Sequence, residues 1–298
     1  MLVRSFRNLF QAILGVIERR VISKRFSDPS GRKGAWAWLS RAPAHVVRNV
    51  HIRLCGVARL NRPLRVLFLA DLHTGSHTDD VARLRDIIRF GAGLEPDLMC
   101  LGGDYVNAMP LGGGRVPPTT IASILADIRP PLGSFAVLGD HDETYGADTI
   151  SHALRAVGIT VLVNETVSVG FDGGEFSITG VTSDTAMLHD LITPRGGNVL
   201  RLVLAHDPAA FALLPKNTAC LMLCGHTHGG QIRIPLLGPL MNLSDAPLRW
   251  TYGHIVDGKR HLYVTSGIGT SLVPLRIGIP PELALIEVDG AELRGGVL

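Results

Sequence analysis

From Leu64 onward the chain alternates short aliphatic runs with polar tips. Leu64 to Leu69 is mostly aliphatic and ends at Ala70-Asp71-Leu72-His73, the pattern of a buried strand that delivers polar residues at its carboxyl end. A helix is predicted next, with Asp79 and Asp80 in its first turn and Val81, Leu84, Ile87 and Ile88 on its apolar face. The unit then recurs. Asp97 to Leu101 reads as a strand ending at Gly102-Gly103-Asp104, Thr119 to Ile128 as a helix, and Ser134 to Leu138 as a strand ending at Gly139-Asp140-His141-Asp142. This is a βαβ alternation. Beyond Ile159 the apolar runs come closer together, at Val161 to Val169, Phe176 to Val181, Leu200 to Ala205, Leu221 to Cys224 and His261 to Ser266, so a second, more mixed sheet is implied. Gly- and Pro-rich stretches at Met109 to Pro118 and Arg233 to Pro247 read as surface loops near a site mouth.

The first eighteen residues follow a different period. Leu2, Phe6, Leu9, Phe10, Ile13 and Ile17 fall at three- and four-residue steps, leaving Arg4, Arg7, Asn8, Gln11 and Glu18 for the opposite side, the pattern of an amphipathic helix. Its apolar stretch is far short of the roughly 20 residues that span a bilayer. Such a helix can lie in the membrane interface, with Trp36 and Trp38 as further anchors, or pack on the body as an ordinary helix. Arg19-Arg20 is followed by no apolar run, which excludes a twin-arginine export signal.

Charge sharpens this division. Residues 1 to 65 carry 14 Lys/Arg against Glu18 and Asp28, a net of +12, while the remainder carries 15 basic and 24 acidic residues, a net of −9. We therefore divide the chain into a basic N-terminal segment, residues 1–60, suited to an anionic membrane surface, and a body, residues 61–298. An acidic body suits cations and is a poor nucleic-acid surface, so no nucleic-acid partner is expected. The expected location is cytoplasmic, at the inner face of the membrane. The 298 residues, 46% hydrophobic, allow one substantial α/β domain with an appendage. Cys55, Cys100, Cys220 and Cys224 form no CxxC pair and read as reduced core thiols.

The polar tips carry the chemistry. Asp71 and His73, Asp104, Asp140 and His141, His206, then His226 and His228 stand at the ends of five predicted strands, where ligands gather in parallel sheets. A lone histidine there is ordinarily a hydrogen-bonding residue. Repetition over five strand ends would crowd like charges together unless cations balanced them.

In five blocks, Asp71-Leu72-His73, Gly103-Asp104, Gly139-Asp140-His141-Asp142, His206 and Gly225-His226-Thr227-His228, the chain resembles the calcineurin-like metallophosphoesterase superfamily. The extension Gly229 to Pro235 and the segment Tyr263 to Thr270 resemble its bacterial, often membrane-associated phosphodiesterase branch, which includes UDP-2,3-diacylglucosamine pyrophosphohydrolase-like enzymes. That resemblance implies a four-layer α/β/β/α sandwich of two mixed sheets. It implies two divalent metal ions, one held by Asp71, His73 and His228, the other by Asp140, His206 and His226, with Asp104 bridging. It further implies a hydroxide between the ions that attacks a phosphodiester or pyrophosphate, lipid-linked or nucleotide-linked, and His141 as the acid that protonates the leaving oxygen. Imidazole mixed with carboxylate favours manganese, with iron or zinc as alternatives. Two other functions remain open, a soluble nucleotide phosphoesterase and a catalytically silent binding scaffold.

The chain departs from the family's pattern at Asp140, where an asparagine is usual. Three ionised carboxylates against about +4 from two divalent ions leave the centre one unit less positive than with asparagine, which implies tighter metal retention. Asn107 occupies the place where phosphoprotein phosphatases of the superfamily carry an aspartate that pairs with the catalytic histidine. Asp142 is the local alternative for orienting His141, or a simple turn residue. Gly103, Gly139 and Gly225 are expected to let the backbone approach a phosphate, and Thr227 only to space the two histidines. Arg233 and Arg276 are expected to be solvated or to reach phosphate, and His254 to reach substrate from a loop.

Overall fold

The computed structural model describes residues 42–77, 79–107, 114–182, 199–234, 238–239, 244–271 and 274–291. Its first strand, β1 (Val46–Cys55), runs parallel to β14 (Glu282–Ala291), from Val46 opposite Glu282 to Cys55 opposite Ala291. Val50, Ile52 and Leu54 alternate inward and Arg53 outward, the period of a half-buried strand. The boundary placed at residue 60 is corrected by this pairing: the body's first sheet begins within the stretch that charge alone assigned to the leader. The expected amphipathic helix, Trp36 and Trp38 lie outside the described residues. Among the described residues no helix is long and apolar enough to cross a membrane.

The first sheet continues with β2 (Leu64–Leu69), β3 (Leu98–Leu101), β4 (Ser134–Ala136) and β5 (Thr160–Val161), in the order β1-β14-β2-β3-β4-β5. β2 to β5 pair in parallel, and β14 runs antiparallel to β2. Helices α1 (Asp80–Ala92), α2 (Pro118–Leu125) and α3 (Asp140–Arg155) connect these strands. They cover one face through Leu84, Ile87, Ile88, Ile121, Ile150 and Leu154. The second sheet contains β6 (Glu165–Phe171), β7 (Gly174–Val181), β8 (Arg201–Ala205), β9 (Cys220–Cys224), β12 (Gly253–Asp257) and β13 (Arg260–Val264), in the order β12-β13-β9-β8-β7-β6. A short ribbon of β10 (Arg233–Ile234) and β11 (Gly238–Pro239) stands apart. The expected strand from Val161 to Val169 is two strands: β5 belongs to one sheet and β6 to the other, and the chain crosses between them at Asn164, whose φ is 49°.

The sheets face each other across Ile52, Leu54, Val66, Phe68, Cys100, Ile178, Leu202, Leu204, Leu221 and Leu223, a continuous apolar core. The fold is the expected sandwich of two mixed sheets with helices outside the first. Over the second sheet's outer face the described residues place 3₁₀ turns, at Pro208–Leu213 and Leu248–Trp250, packed on Val203, Met222 and Leu262. Cys100, Cys220 and Cys224 are buried thiols as expected; Cys55, on the outward side of β1, is exposed.

Two buried carboxylates tie the sandwich together. Glu282 on β14 accepts the hydroxyls of Tyr263 on β13 (2.6 Å) and Tyr252 (2.6 Å), bonding one sheet to the other. At the opposite end of the strands, Asp97 accepts two bonds from the Arg62 guanidinium (2.7 and 2.8 Å) and one from the Arg65 N–H (2.9 Å). The same guanidinium lies 4.6 Å over the Phe171 ring on β6. Burial works against an ionised Asp97, but the Arg62 pair and the Arg65 N–H outweigh it and hold its pKa below the ordinary carboxylate value. A carboxylate depressed in this way stabilises the fold above its unfolded pKa of about 3.9 and loses that contribution as pH falls through the lower folded value. Asp97→Asn is therefore expected to cost about 1–2 kcal/mol at neutral pH in urea unfolding. The gap to wild type should shrink below about pH 4, and a gap that persists undiminished into acid would contradict the account.

Candidate metal centre

The carboxyl ends of the parallel strands in both sheets converge on one point. Asp71 and His73 follow β2, Asp104 follows β3, Asp140 and His141 open α3 after β4, His206 follows β8, and His226 and His228 follow β9. Five of these residues hold left-handed backbone: Asp71 (φ 52°), His73 (38°), Asp104 (58°), His226 (67°) and His228 (51°). Such conformations cost on the order of 1–3 kcal/mol each and persist only where neighbours over-determine them. Here the neighbours are backbone bonds that carry the β2–β3 pairing past the strand ends: Asp71 N–H donates to the Gly103 carbonyl and His73 N–H to the Asp104 carbonyl, both at 2.9 Å.

Asp142 completes that clamp. Its buried carboxylate accepts the backbone N–H groups of Asp104 (2.8 Å), Tyr105 (2.9 Å) and Gly139 (3.0 Å), holding the tip of β3 against the start of α3. It orients Asp104 rather than His141. Burial and the charge of Asp104 push Asp142 up to about 7, against the N–H donors of Gly139 and Tyr105. Gly139 and Gly225 make room for carboxylates. A Cβ on Gly139 would fall 2.1 Å from Asp104 Oδ1, and one on Gly225 would fall 2.8 Å from both carboxylate oxygens of Asp71.

The side chains form two triplets that share a bridge. Asp71, His73 and His228 present ligand-capable atoms within 4.8 Å of one another, and so do Asp140, His206 and His226. In the second triplet Asp140 Oδ1, His206 Nε2 and His226 Nδ1 are mutually 3.1 Å apart, close to the spacing of atoms that surround one ion at about 2.1 Å. Asp104 Oδ2 lies between the groups, 3.3 Å from His73 Nε2 and 3.3 Å from His206 Nε2. Backing contacts set the ring orientations. His206 Nδ1–H donates to the Gly102 carbonyl (2.7 Å), which turns Nε2 inward, and His226 Nε2 faces Asp207 Oδ2 at 3.8 Å. The Arg276 guanidinium donates to the carbonyls of Ser266 (2.6 Å) and Gly269, and stands 3.3 Å from His228 Nδ1.

The electrostatics fit a cation site. Burial pushes Asp71 up to about 6 and His73 down to about 3, and holds His228 well below its ordinary value. Burial also opposes a charged His206, yet the carboxylates of Asp104, Asp140 and Asp71 hold it well above the usual range. Protons thus stand where positive charge is required. Asp71 Oδ2, fully buried, has no hydrogen-bond partner. An acceptor orphaned among imidazole nitrogens is a donor set made for divalent ions.

Comparison with known proteins agrees. Residues 64–230, more than half the chain, match the family model described as calcineurin-like phosphoesterase. The chain belongs to that family. It is a metal-dependent phosphoester hydrolase. It is 35% identical over 230 residues to Phosphodiesterase YaeI of Escherichia coli, covering 76% of this chain and 82% of that one. It is also 28% identical to an uncharacterized metallophosphoesterase, YkuE, of Bacillus subtilis, over 65% of this chain and 68% of that one. An uncharacterized metallophosphoesterase of Aquifex aeolicus is 26% identical over 76% of this chain and 85% of its own length.

Several expectations about the residues around the family's motifs are revised. Thr227 is no spacer: its buried hydroxyl donates to the Thr251 carbonyl at 2.7 Å, anchoring the loop that carries His226 and His228. Arg233 donates to the Gly229 carbonyl (3.1 Å) and Arg276 braces His228, so neither is a free surface arginine. His254 pairs with His261, Nε2 to Nδ1 at 2.9 Å, on the β12–β13 hairpin. Asn107 donates to the Gly114 carbonyl. His141 sits at the edge of the cluster, its ring 4.6 Å from that of His73 and its Nε2 3.5 Å from Ser271 Oγ. Asp207 and Ser271 were not foreseen. Asp207 directly follows a predicted ligand, a signal that was legible; Ser271 lies 130 residues from His141, and only folding joins them.

The approach of Gly139 to Asp104 generates a test. Gly139→Ala is expected to displace the Asp104 carboxylate and cut bound manganese at both sites at least tenfold by equilibrium dialysis, with the far-ultraviolet circular dichroism retained. Full metal content in the variant would show that this contact does not matter.

Proposed function

We propose that this chain is a two-metal phosphodiesterase, with Asp71, His73 and His228 holding one ion, Asp140, His206 and His226 the other, and Asp104 shared. The single observation that carries the reading is the position of Asp104 Oδ2, 3.3 Å from a ring nitrogen of each group. Two divalent ions held there supply activation of water and neutralisation of phosphate charge. The mixed nitrogen and oxygen donors favour manganese, with iron or zinc as alternatives. The residues do the rest. Asp71 orients the His226 backbone, whose N–H it accepts at 2.9 Å. Asp142 and Gly139 keep the Asp104 carboxylate in place. His141, its ring beside the cluster and its Nε2 facing Ser271, is placed to give a proton to the leaving oxygen. The name of the Escherichia coli relative, a phosphodiesterase, supports a diester as substrate. The intact set of seven ligand candidates argues against a silent scaffold.

Metal content tests the assignment more directly than turnover does. Asp104→Ala is expected to lose both ions, His228→Ala one of two, and Asp140→Asn to keep two with weaker retention of the second. His141→Ala should keep both and lose roughly 10²–10⁴-fold in kcat on bis-p-nitrophenyl phosphate with manganese. Two tightly held ions in Asp104→Ala, or no hydrolysis by the wild type, would overturn the reading.

The segment before β1, with nine Lys/Arg against Glu18 and Asp28 over residues 1 to 45, a net of +7, supports attachment to an anionic membrane surface at the cytoplasmic face and a substrate with a lipid-linked portion. Because β1 starts at Val46, the informative truncation removes residues 1–40 and spares the sheet. It is expected to abolish binding to phosphatidylglycerol vesicles while bis-p-nitrophenyl phosphate is still cleaved. Undiminished vesicle binding would reject the leader as the anchor.

A further inference from the structure

A cavity of about 320 Å³ opens beside the second triplet, and it is unlike the centre it adjoins. It is lined by Asp140, His206 and His226 together with an aliphatic wall of Leu138, Ala205, Ala209, Ala210 and Leu213. Leu213 is 49% exposed, an aliphatic side chain left at the rim of a polar site. The wall is not a loose loop. Leu138 lies two residues past β4 of the first sheet, Ala205 ends β8 of the second, and Ala209 to Leu213 belong to the 3₁₀ turn at Pro208–Leu213. Asp207 caps that turn by accepting the Ala209 N–H at 2.8 Å, is bonded by the Ser244 hydroxyl, and faces His226 Nε2 at 3.8 Å. One carboxylate therefore sets both the apolar wall and a metal-facing histidine. Apart from the imidazoles of His206 and His226, the ionisable side chains at the cavity, Asp140, Glu143 and Asp207, are acidic, and none of its described lining residues is Lys or Arg.

We propose that this cavity is the subsite for one ester arm of the substrate, and that the arm is uncharged and apolar, an aryl ring or an alkyl chain of several carbons. The inference rests on the phosphodiesterase reading, because it takes the phosphate to sit at the neighbouring triplet. A phosphate held there leaves its substituent facing the aliphatic wall, where burial of each methylene favours binding. Beyond the ion that Asp140, His206 and His226 would hold, an arm with its own phosphate meets the carboxylates of Glu143 and Asp207 and no lysine or arginine, so this side of the centre selects against nucleoside diphosphates and other doubly anionic arms.

Single-armed ligands that cannot be hydrolysed test this. Calorimetry on the manganese-loaded full chain, with methylphosphonate, butylphosphonate and 2-phosphonoethyl phosphonate as probes, should show butylphosphonate at least tenfold tighter than methylphosphonate. The doubly anionic probe should be no tighter than methylphosphonate. In Leu213→Asp the butyl-to-methyl ratio should fall below about threefold, and in Ala210→Phe, which fills the cavity, it should fall likewise. Equal binding of the two alkyl probes by the wild type, or a ratio unchanged in both variants, would overturn the subsite. Failure of the wild type to cleave bis-p-nitrophenyl phosphate would instead reject the diesterase reading, while the ratio of affinities still decides what the cavity accepts.

Discussion

One carboxylate oxygen governs this molecule: Oδ2 of Asp104, held 3.3 Å from a ring nitrogen of His73, which the first sheet supplies, and 3.3 Å from one of His206, which the second sheet supplies. Much of the surrounding architecture keeps it there. The backbone bonds of Asp71 and His73 to the tip of β3, the three N–H groups gathered by Asp142 and the missing Cβ at Gly139 all bear on that one side chain. The sandwich brings the carboxyl ends of two parallel strand sets to one edge, so a bridge between sheets is also a bridge between the two groups of ligand-capable side chains.

The strain of the site follows from the same convergence. Ligand side chains at strand tips must turn toward a common centre within one or two residues, and left-handed backbone at five of them achieves this. The charge balance is equally forced. Asp71 and Asp104 are buried and depend on cations or protons, whereas the Asp140 side chain is 55% exposed. That difference gives a physical reason why the position where the family usually has asparagine can carry a carboxylate: water screens much of the added charge. Arg276, packed between the carbonyls of Ser266 and Gly269 beside His228, adds a fixed positive charge on the other side of the centre.

Outside the triplets, polarity is distributed unevenly. The His141 side of the cluster meets Ser271 and the loop that follows β13, while the Asp140 side meets aliphatic residues on a turn capped by Asp207. The two triplets thus open onto chemically different surroundings.

Much of this was written in the local pattern of the chain. Aliphatic runs with polar tips located β2, β3, β4, β8 and β9 to within a residue or two, because burial on both faces leaves a continuous apolar signature, and motif spacing then named the residues that gather at the tips. Other features have no local signature. β1 was hidden because its outward arginines were counted with the basic leader, and only its pairing with β14, more than 200 residues away, makes Val46–Cys55 a strand of the body. Val161 to Val169 reads as one apolar run, yet the two sheets divide it at Asn164. The roles of Asp142, Asp207, Ser271 and Arg276 were undetermined for the same reason: each acts through a contact that exists only once distant strand ends are brought together. Residue type and spacing along the chain determined which chemistry was present; which side chain holds which was decided by packing, because hydrogen bonds and ion pairs act over a few ångströms of space and not along the sequence.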